Sequence, residues 1–105
     1  MWVLLNNAFF SIVKNRNKKN ELLVRARIKG DIEKVFPEAN TFEDKNADYR
    51  YRTFIETSIV ADKISNEIFK INYDNFKNSI SKDDFNRTIA YGNVWKELYK
   101  LQLIK

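Results

Sequence analysis

The sequence predicts an α+β fold, in which a four-stranded, mainly antiparallel sheet carries helices packed on one face. Several segments are short apolar runs or alternate apolar and polar residues, as strands do, and two later segments carry an apolar stripe at helical spacing. Only two glycines and one proline occur in 105 residues, which disfavours an all-β fold with many turns. The predicted order is β-β-β-α-β-α-α, within a single domain over residues 1–105.

The first two strands are predicted as a hairpin. Residues 2–5 and 8–13 are apolar and flank Asn6-Asn7. Asparagine tolerates positive φ, so this pair suits a tight two-residue turn. The apolar N-terminus is therefore interpreted as a hairpin rather than a signal peptide.

The third strand is predicted over residues 21–28, ELLVRARI, after a basic loop over residues 14–20. Polarity alternates along it, so its two sides should face different surroundings. The residues expected on one side are Val24, Ala26 and Ile28, and those expected on the other are Leu23, Arg25 and Arg27.

The fourth strand is predicted over residues 48–56, DYRYRTFIE. Before it, Asp31 is expected to cap a short helix that ends near Pro37, and residues 38–47 are expected to form a loop. Successive strand residues point to opposite faces, so Tyr49 and Tyr51 should lie opposite to Arg50 and Arg52. The strand is therefore predicted to carry arginine on one of its two faces.

Two longer helices are predicted in the C-terminal half. One covers roughly residues 58–71. The last begins after Ser81 and runs toward the C-terminus, with acids in its first turn where the helix dipole favours them. Its aromatic residues, Tyr91, Trp95 and Tyr99, suit either a dimer surface or a cover for the core.

Composition excludes several chemistries. The chain has no cysteine and no histidine, so disulfides, Cys/His zinc sites, a cysteine nucleophile and a histidine base are all ruled out. This favours a protein that is not an enzyme and needs no cofactor. No apolar stretch reaches membrane-spanning length, so we expect a cytoplasmic protein without a membrane partner.

Positive charge is concentrated in one segment. The net charge is +5, and residues 14–34 hold eight basic residues against three acidic ones. Elsewhere the chain has eleven of each sign, so this segment accounts for the whole excess.

Five motifs follow one another along the chain: FFS (9–11), VRARIKGDIEK (24–34), DYRYR (48–52), NYDNFK (72–77) and AYGNVWKELY (90–99). Together they resemble a widespread family of small bacterial proteins without an assigned activity. The similarity spans nearly the whole chain, although Ala8 stands where the family pattern has glycine. The resemblance implies no function and no catalytic residue; it implies that the motifs form a repeated design.

The leading functional hypothesis is a non-enzymatic module that binds a phosphate-bearing ligand, either a nucleic acid or a nucleotide. If the third and fourth strands are neighbours, four guanidinium groups share one face, and their planar donors match phosphate. Aromatic side chains beside them suit base stacking, and basic residues of the loop suit electrostatic steering. The candidate residues are Arg25, Arg27, Arg50, Arg52, Tyr49, Tyr51, Phe9, Lys18 and Lys19.

Other interpretations remain open at this stage. Each arginine could simply pair with an acid on a solvated face, such as Asp48, Glu56 or Asp31. A second function is a protein–protein adaptor or inhibitor that uses the aromatic last helix and an edge strand, in a homo-oligomer. A third is a metal-dependent nuclease built on Asp48, Glu56 and Asp74. Size and charge also suit a phage or mobile-element factor that sequesters a nucleotide signal or blocks a nucleic-acid enzyme.

Overall fold

The structure is a computed structural model that describes residues 1–104. The chain divides into two compact units, Met1–Ile71 and a second unit that begins at Asn72. Among the described residues, the first unit holds five strands and two α-helices, and the second holds a 3₁₀ helix and one long α-helix. The predicted α+β class is confirmed. That residues 1–105 form a single domain stays a prediction.

The sheet is antiparallel throughout and has the strand order β1-β2-β3-β5-β4. Its strands are β1 (Trp2–Leu4), β2 (Phe9–Lys14), β3 (Glu21–Ala26), β4 (Phe42–Glu43) and β5 (Tyr51–Glu56). The α-helices are α1 (Asp31–Val35), α2 (Thr57–Phe69) and α3 (Phe85–Gln102), with the 3₁₀ helix at Lys77–Ser79.

The hairpin between β1 and β2 forms around Asn6-Asn7, as predicted, with the Leu5 N–H donating to the Ala8 carbonyl at 2.8 Å. The expected positive φ is wrong, because neither asparagine adopts it. Ala8 is fully buried in the core. A side chain is therefore accommodated at the position where the family pattern has glycine.

One strand that was not predicted, β4, lies within residues 38–47, which were expected to be a loop. Two residues are too few to show any alternation, so sequence periodicity could not reveal this strand. It pairs with the edge of β5, where Phe42 lies opposite Arg52 and Glu43 lies opposite Tyr51. The prediction of four strands is therefore wrong by one, at the edge of the sheet.

Both arginine-bearing strands are shorter than predicted. β3 ends at Ala26, and Ile28 is exposed rather than facing the core, because the chain turns at Gly30, whose φ is +93°. β5 begins at Tyr51, so residues 48–50 precede the strand. Strict alternation of faces therefore does not extend to Tyr49.

The role expected of Asp31 is also wrong. Gly30 occupies the capping position of α1, which has no side-chain cap, and Asp31 is the first helical residue. Its carboxylate is 1% exposed and accepts a hydrogen bond from the Phe9 backbone N–H at 3.0 Å. It also lies 3.4 Å from the Lys34 ammonium. Asp31 thus ties the start of β2 to α1.

The core of the first unit lies between one face of the sheet and helices α1 and α2. Alternate residues of β2, β3 and β5 supply the sheet side, and α1 contacts β2 and β3 while α2 contacts β3 and β5. We call the other side of the sheet the outer face. The buried cluster comprises Ala8, Phe10, Ile12, Val24, Ala26, Ile32, Val35, Phe36, Ile55 and Val60.

The second unit is organised around α3. Arg87 is buried, and its guanidinium donates to the Asp84 carboxylate at 2.6 Å and to the Tyr91 hydroxyl at 3.1 Å. The Tyr91 ring stacks on Phe76 at 5.8 Å. Burial of Tyr91 follows from these contacts.

Candidate functional site

Five residues, one from each strand, lie side by side across the outer face. The register places Ser11 opposite both Trp2 and Arg25, Arg25 opposite Arg52, and Arg52 opposite Phe42. Directly opposite residues of antiparallel strands share a face, with Cβ atoms about 5 Å apart. We call this set, Trp2, Ser11, Arg25, Arg52 and Phe42, the cross-strand row.

Arg25 lies at the centre of the row and is held by its neighbour on β2. One terminal nitrogen of its guanidinium donates to Ser11 Oγ at 2.6 Å, and Ser11 is 2% exposed. The Arg25 Nε is buried and has no hydrogen-bond partner among residues 1–104. A buried N–H donor without a partner is unfavourable, so this side chain has unused capacity to bind an acceptor.

Tyr49 forms a second layer over the outer face. The guanidinium carbons of Arg25 and Arg27 lie 4.6 and 4.3 Å from its ring centroid, and the Phe9 ring lies 6.3 Å away. Distances of this size are typical of cation–π contacts. The Tyr49 side chain is 4% exposed, so its ring supports two guanidinium groups instead of offering a bare surface.

Backbone carbonyls of residues 48 and 49 receive the other arginine contacts. Arg27 Nε donates to the Asp48 carbonyl, and an Arg52 terminal nitrogen donates to the Tyr49 carbonyl, each at 3.3 Å. A guanidinium has five N–H donors, so each of these arginines uses a small part of its capacity. We call Arg25, Arg27 and Arg52 the arginine cluster.

Carboxylates do not neutralise the arginine cluster. Within residues 1–104, none of its three members forms an ion pair with an aspartate or glutamate. Arg50 differs, because its Nε lies 3.0 Å from Glu43 Oε2. Pairing with internal acids therefore describes one of the four predicted arginines.

Three other predicted residues lie away from the arginine cluster. Tyr51 lies opposite Ala26 and packs against the core, on the other side of the sheet. Lys18 and Lys19 are exposed in the loop before Glu21, and Lys18 lies 3.7 Å from the Glu21 carboxylate. Arg25 is four residue rises from Glu21 along β3, which is about 13 Å.

Three exposed aromatic residues of the outer face were not among the site residues predicted from the sequence. Trp2 and Phe42 end the cross-strand row, and Phe54 stacks on Phe42 with ring centroids 6.0 Å apart. Trp2 also contacts Phe9 edge to face at 5.9 Å. Counting register across the first hairpin would have found Trp2 opposite Ser11. Phe42 gave no such signal, because β4 was not predicted.

Beside the cross-strand row lies a short apolar row. Val13 lies opposite Leu23, and Leu23 lies opposite Phe54. Val13 and Phe54 are exposed. The outer face therefore combines guanidinium groups with accessible apolar and aromatic surface.

Among residues 1–104, no group of three or more acidic side chains is arranged so that it could hold a metal ion. Over the same residues, no helix has both the length and the apolar character needed to cross a membrane.

Comparison of the chain with protein-family models, with curated proteins and with solved structures found no match. The resemblance to a family of small bacterial proteins therefore stays a prediction.

Proposed function

We propose that this protein is a non-enzymatic module that binds a phosphate-bearing ligand, either a nucleic acid or a nucleotide, on its outer face. One observation supports this above all: three guanidinium groups converge around Tyr49, and none pairs with a carboxylate among residues 1–104. Guanidinium is the side-chain group whose planar donors match a phosphate in two-pronged geometry.

Charge repulsion within the arginine cluster supports an anionic ligand. Arg25 and Arg52 lie directly opposite one another, and like charges in this position destabilise a sheet. A phosphate between them would turn the repulsion into two favourable interactions.

Preorganisation supports the same ligand class. Ser11 and Tyr49 hold Arg25, and the carbonyls of residues 48 and 49 hold Arg27 and Arg52. Side chains that are already oriented lose less conformational entropy when a ligand binds. Lys18 and Lys19 would act at longer range by attracting the anion.

The test compares the wild type with an Arg25→Ala/Arg52→Ala variant against single strands, duplexes, and linear and cyclic nucleotides. We expect at least one ligand class to bind the wild type, and the variant to bind it at least about ten-fold more weakly, since each lost charged hydrogen bond is worth about 1.5–3 kcal/mol. For a single strand, the slope of log K against log salt should fall by about 1.4 for two lost phosphate contacts.

Arg50→Ala is the matched control, because Arg50 already pairs with Glu43 and should contribute little. Equal affinity of the wild type and the double variant, or no binding of any phosphate compound by the wild type, would contradict the proposal. Circular dichroism of both variants checks that the fold is retained.

A second candidate function is a protein–protein adaptor or inhibitor that acts through its aromatic last helix, α3, and an edge strand, in a homo-oligomer. Its support is the exposure of large apolar side chains on α3, including Trp95, Leu98 and Leu101. Salt distinguishes the two functions, because an apolar interface should not weaken steeply between 50 and 200 mM salt as phosphate binding does. Sedimentation of the purified chain reports whether that partner is a second copy.

A further inference from the structure

We infer that the ligand is a single-stranded nucleic acid that crosses the strands of the sheet, with bases stacked at both ends of the cross-strand row and phosphates at its centre. The inference rests on the proposed function, because it uses the same arginine cluster. It adds the class of nucleic acid, its path and the residues that contact its bases.

The two ends of the cross-strand row carry the aromatic surface. Trp2 is 64% exposed at one end, and Phe42 and Phe54 are 44% and 47% exposed at the other. Every base has an aromatic face, so stacking on such side chains tolerates any sequence. On known sheet platforms, aromatic side chains stack two or three bases of a single strand.

The centre of the row suits the backbone rather than the bases. Arg25 and Arg52 lie between the aromatic ends, and Arg27 lies beside them on the Tyr49 ring. Across the sheet, guanidinium groups thus lie between aromatic side chains. This order matches the alternation of bases and phosphates along a single-stranded nucleic acid. An inorganic polyphosphate or an acidic peptide would use the arginines and leave both aromatic ends bare.

The length of the cross-strand row favours a single-stranded nucleic acid over a mononucleotide as the ligand. Four inter-strand spacings join Trp2 to Phe42, which is about 19 Å. A mononucleotide that reaches the arginine cluster cannot also cover both aromatic ends. A duplex cannot either, because its bases are stacked on one another. Affinity should therefore rise with strand length until both ends are occupied, at roughly four nucleotides, the lower limit of comparable platforms.

The experiment measures binding of oligothymidylates and oligouridylates of one, two, four and eight residues, of an eight-residue abasic strand, and of a duplex. The variants are Trp2→Ala and Phe42→Ala, and Phe85→Ala is the control because Phe85 is 67% exposed and belongs to α3, not to any strand of the sheet. The deoxy- and ribo-oligonucleotides show whether the strand is DNA or RNA.

We expect the tetramer to bind at least about ten-fold more tightly than the monomer. Each aromatic substitution on the outer face should weaken binding of the octamer at least about five-fold, whereas Phe85→Ala should not. The abasic strand and the duplex should bind more weakly than the octamer. Phe54→Ala gives a second readout at the same end of the row.

Particular outcomes overturn the inference and leave the proposed function standing. These are equal affinity of monomer and octamer, equal affinity of the abasic and normal strands, or equal effects of Phe42→Ala and Phe85→Ala, provided that Arg25→Ala/Arg52→Ala still weakens binding. Failure of every phosphate compound to bind would instead remove the proposed function together with the inference.

Discussion

The core side of the sheet and its outer face are built from alternate residues of the same strands, yet they differ in chemistry. On β3, Val24 and Ala26 are fully buried against the helices, while Arg25 between them is partly exposed and pairs with no carboxylate among residues 1–104. On β5, Thr53 and Ile55 are buried, and Arg52 and Phe54 lie on the other side. The comparison shows that the apolar residues that stabilise the fold and the guanidinium groups of the proposed binding surface lie on opposite faces of one sheet.

The largest effect expected from this comparison is on stability. Phe10→Ala should lower the free energy of unfolding by about 3–5 kcal/mol, because it opens a cavity in the core. Phe10 is fully buried there. Phe54→Ala, the same substitution on the outer face, should cost less than about 1 kcal/mol. Urea denaturation measures both, and equal losses would show that the two faces do not differ in this way.

A smaller effect tests the layer formed by Tyr49. Tyr49→Leu keeps an apolar side chain and removes both cation–π contacts, so stability should fall by about 1–2 kcal/mol. Tyr49→Phe keeps the ring and should change the free energy of unfolding by less than about 0.5 kcal/mol. Urea denaturation measures both variants. If the two variants lose the same amount, the contacts with Arg25 and Arg27 are not what stabilises this layer.

The smallest effect concerns the one predicted arginine that has a carboxylate partner. Arg50→Ala should lower stability by about 0.2–1 kcal/mol, because its ion pair with Glu43 is exposed and screened by salt. The two side chains are 47% and 38% exposed. A double-mutant cycle with Glu43→Gln isolates the pair. A coupling energy well above 1 kcal/mol would place Arg50 among the structural residues of the sheet.

Periodicity predicted much of the fold because its signal is local. The alternation in residues 21–28 correctly assigned Val24 and Ala26 to the core side, and Arg25 to the other. It failed at Ile28, since a turn at Gly30 ends the strand early. It could not reveal β4, because two paired residues carry no period and the strand depends on the edge of β5.

The candidate site was predicted in part for the same reason. Arg25 and Arg52 share a face because strand alternation and neighbouring strands together require it. The position of Tyr49 follows instead from the path of residues 48–50 and from contacts with two arginines, which no local pattern encodes. Four strand pairings join Trp2 to Phe42, and one of them involves β4, which was not predicted, so the sequence alone could not place both at the ends of one row.

The direct pairing of Arg25 with Arg52 has a consequence for folding itself. An occupied outer face should unfold at higher temperature than an empty one, because a ligand that binds only the native state shifts the folding equilibrium by mass action. Conversely, a neutral residue in place of one arginine should raise the stability of the ligand-free protein and weaken its binding of the proposed ligand. Such a trade-off is common where activity needs a destabilised site. Repulsion between the two arginines would then destabilise the protein without ligand, and binding of the proposed phosphate-bearing ligand would remove that destabilisation.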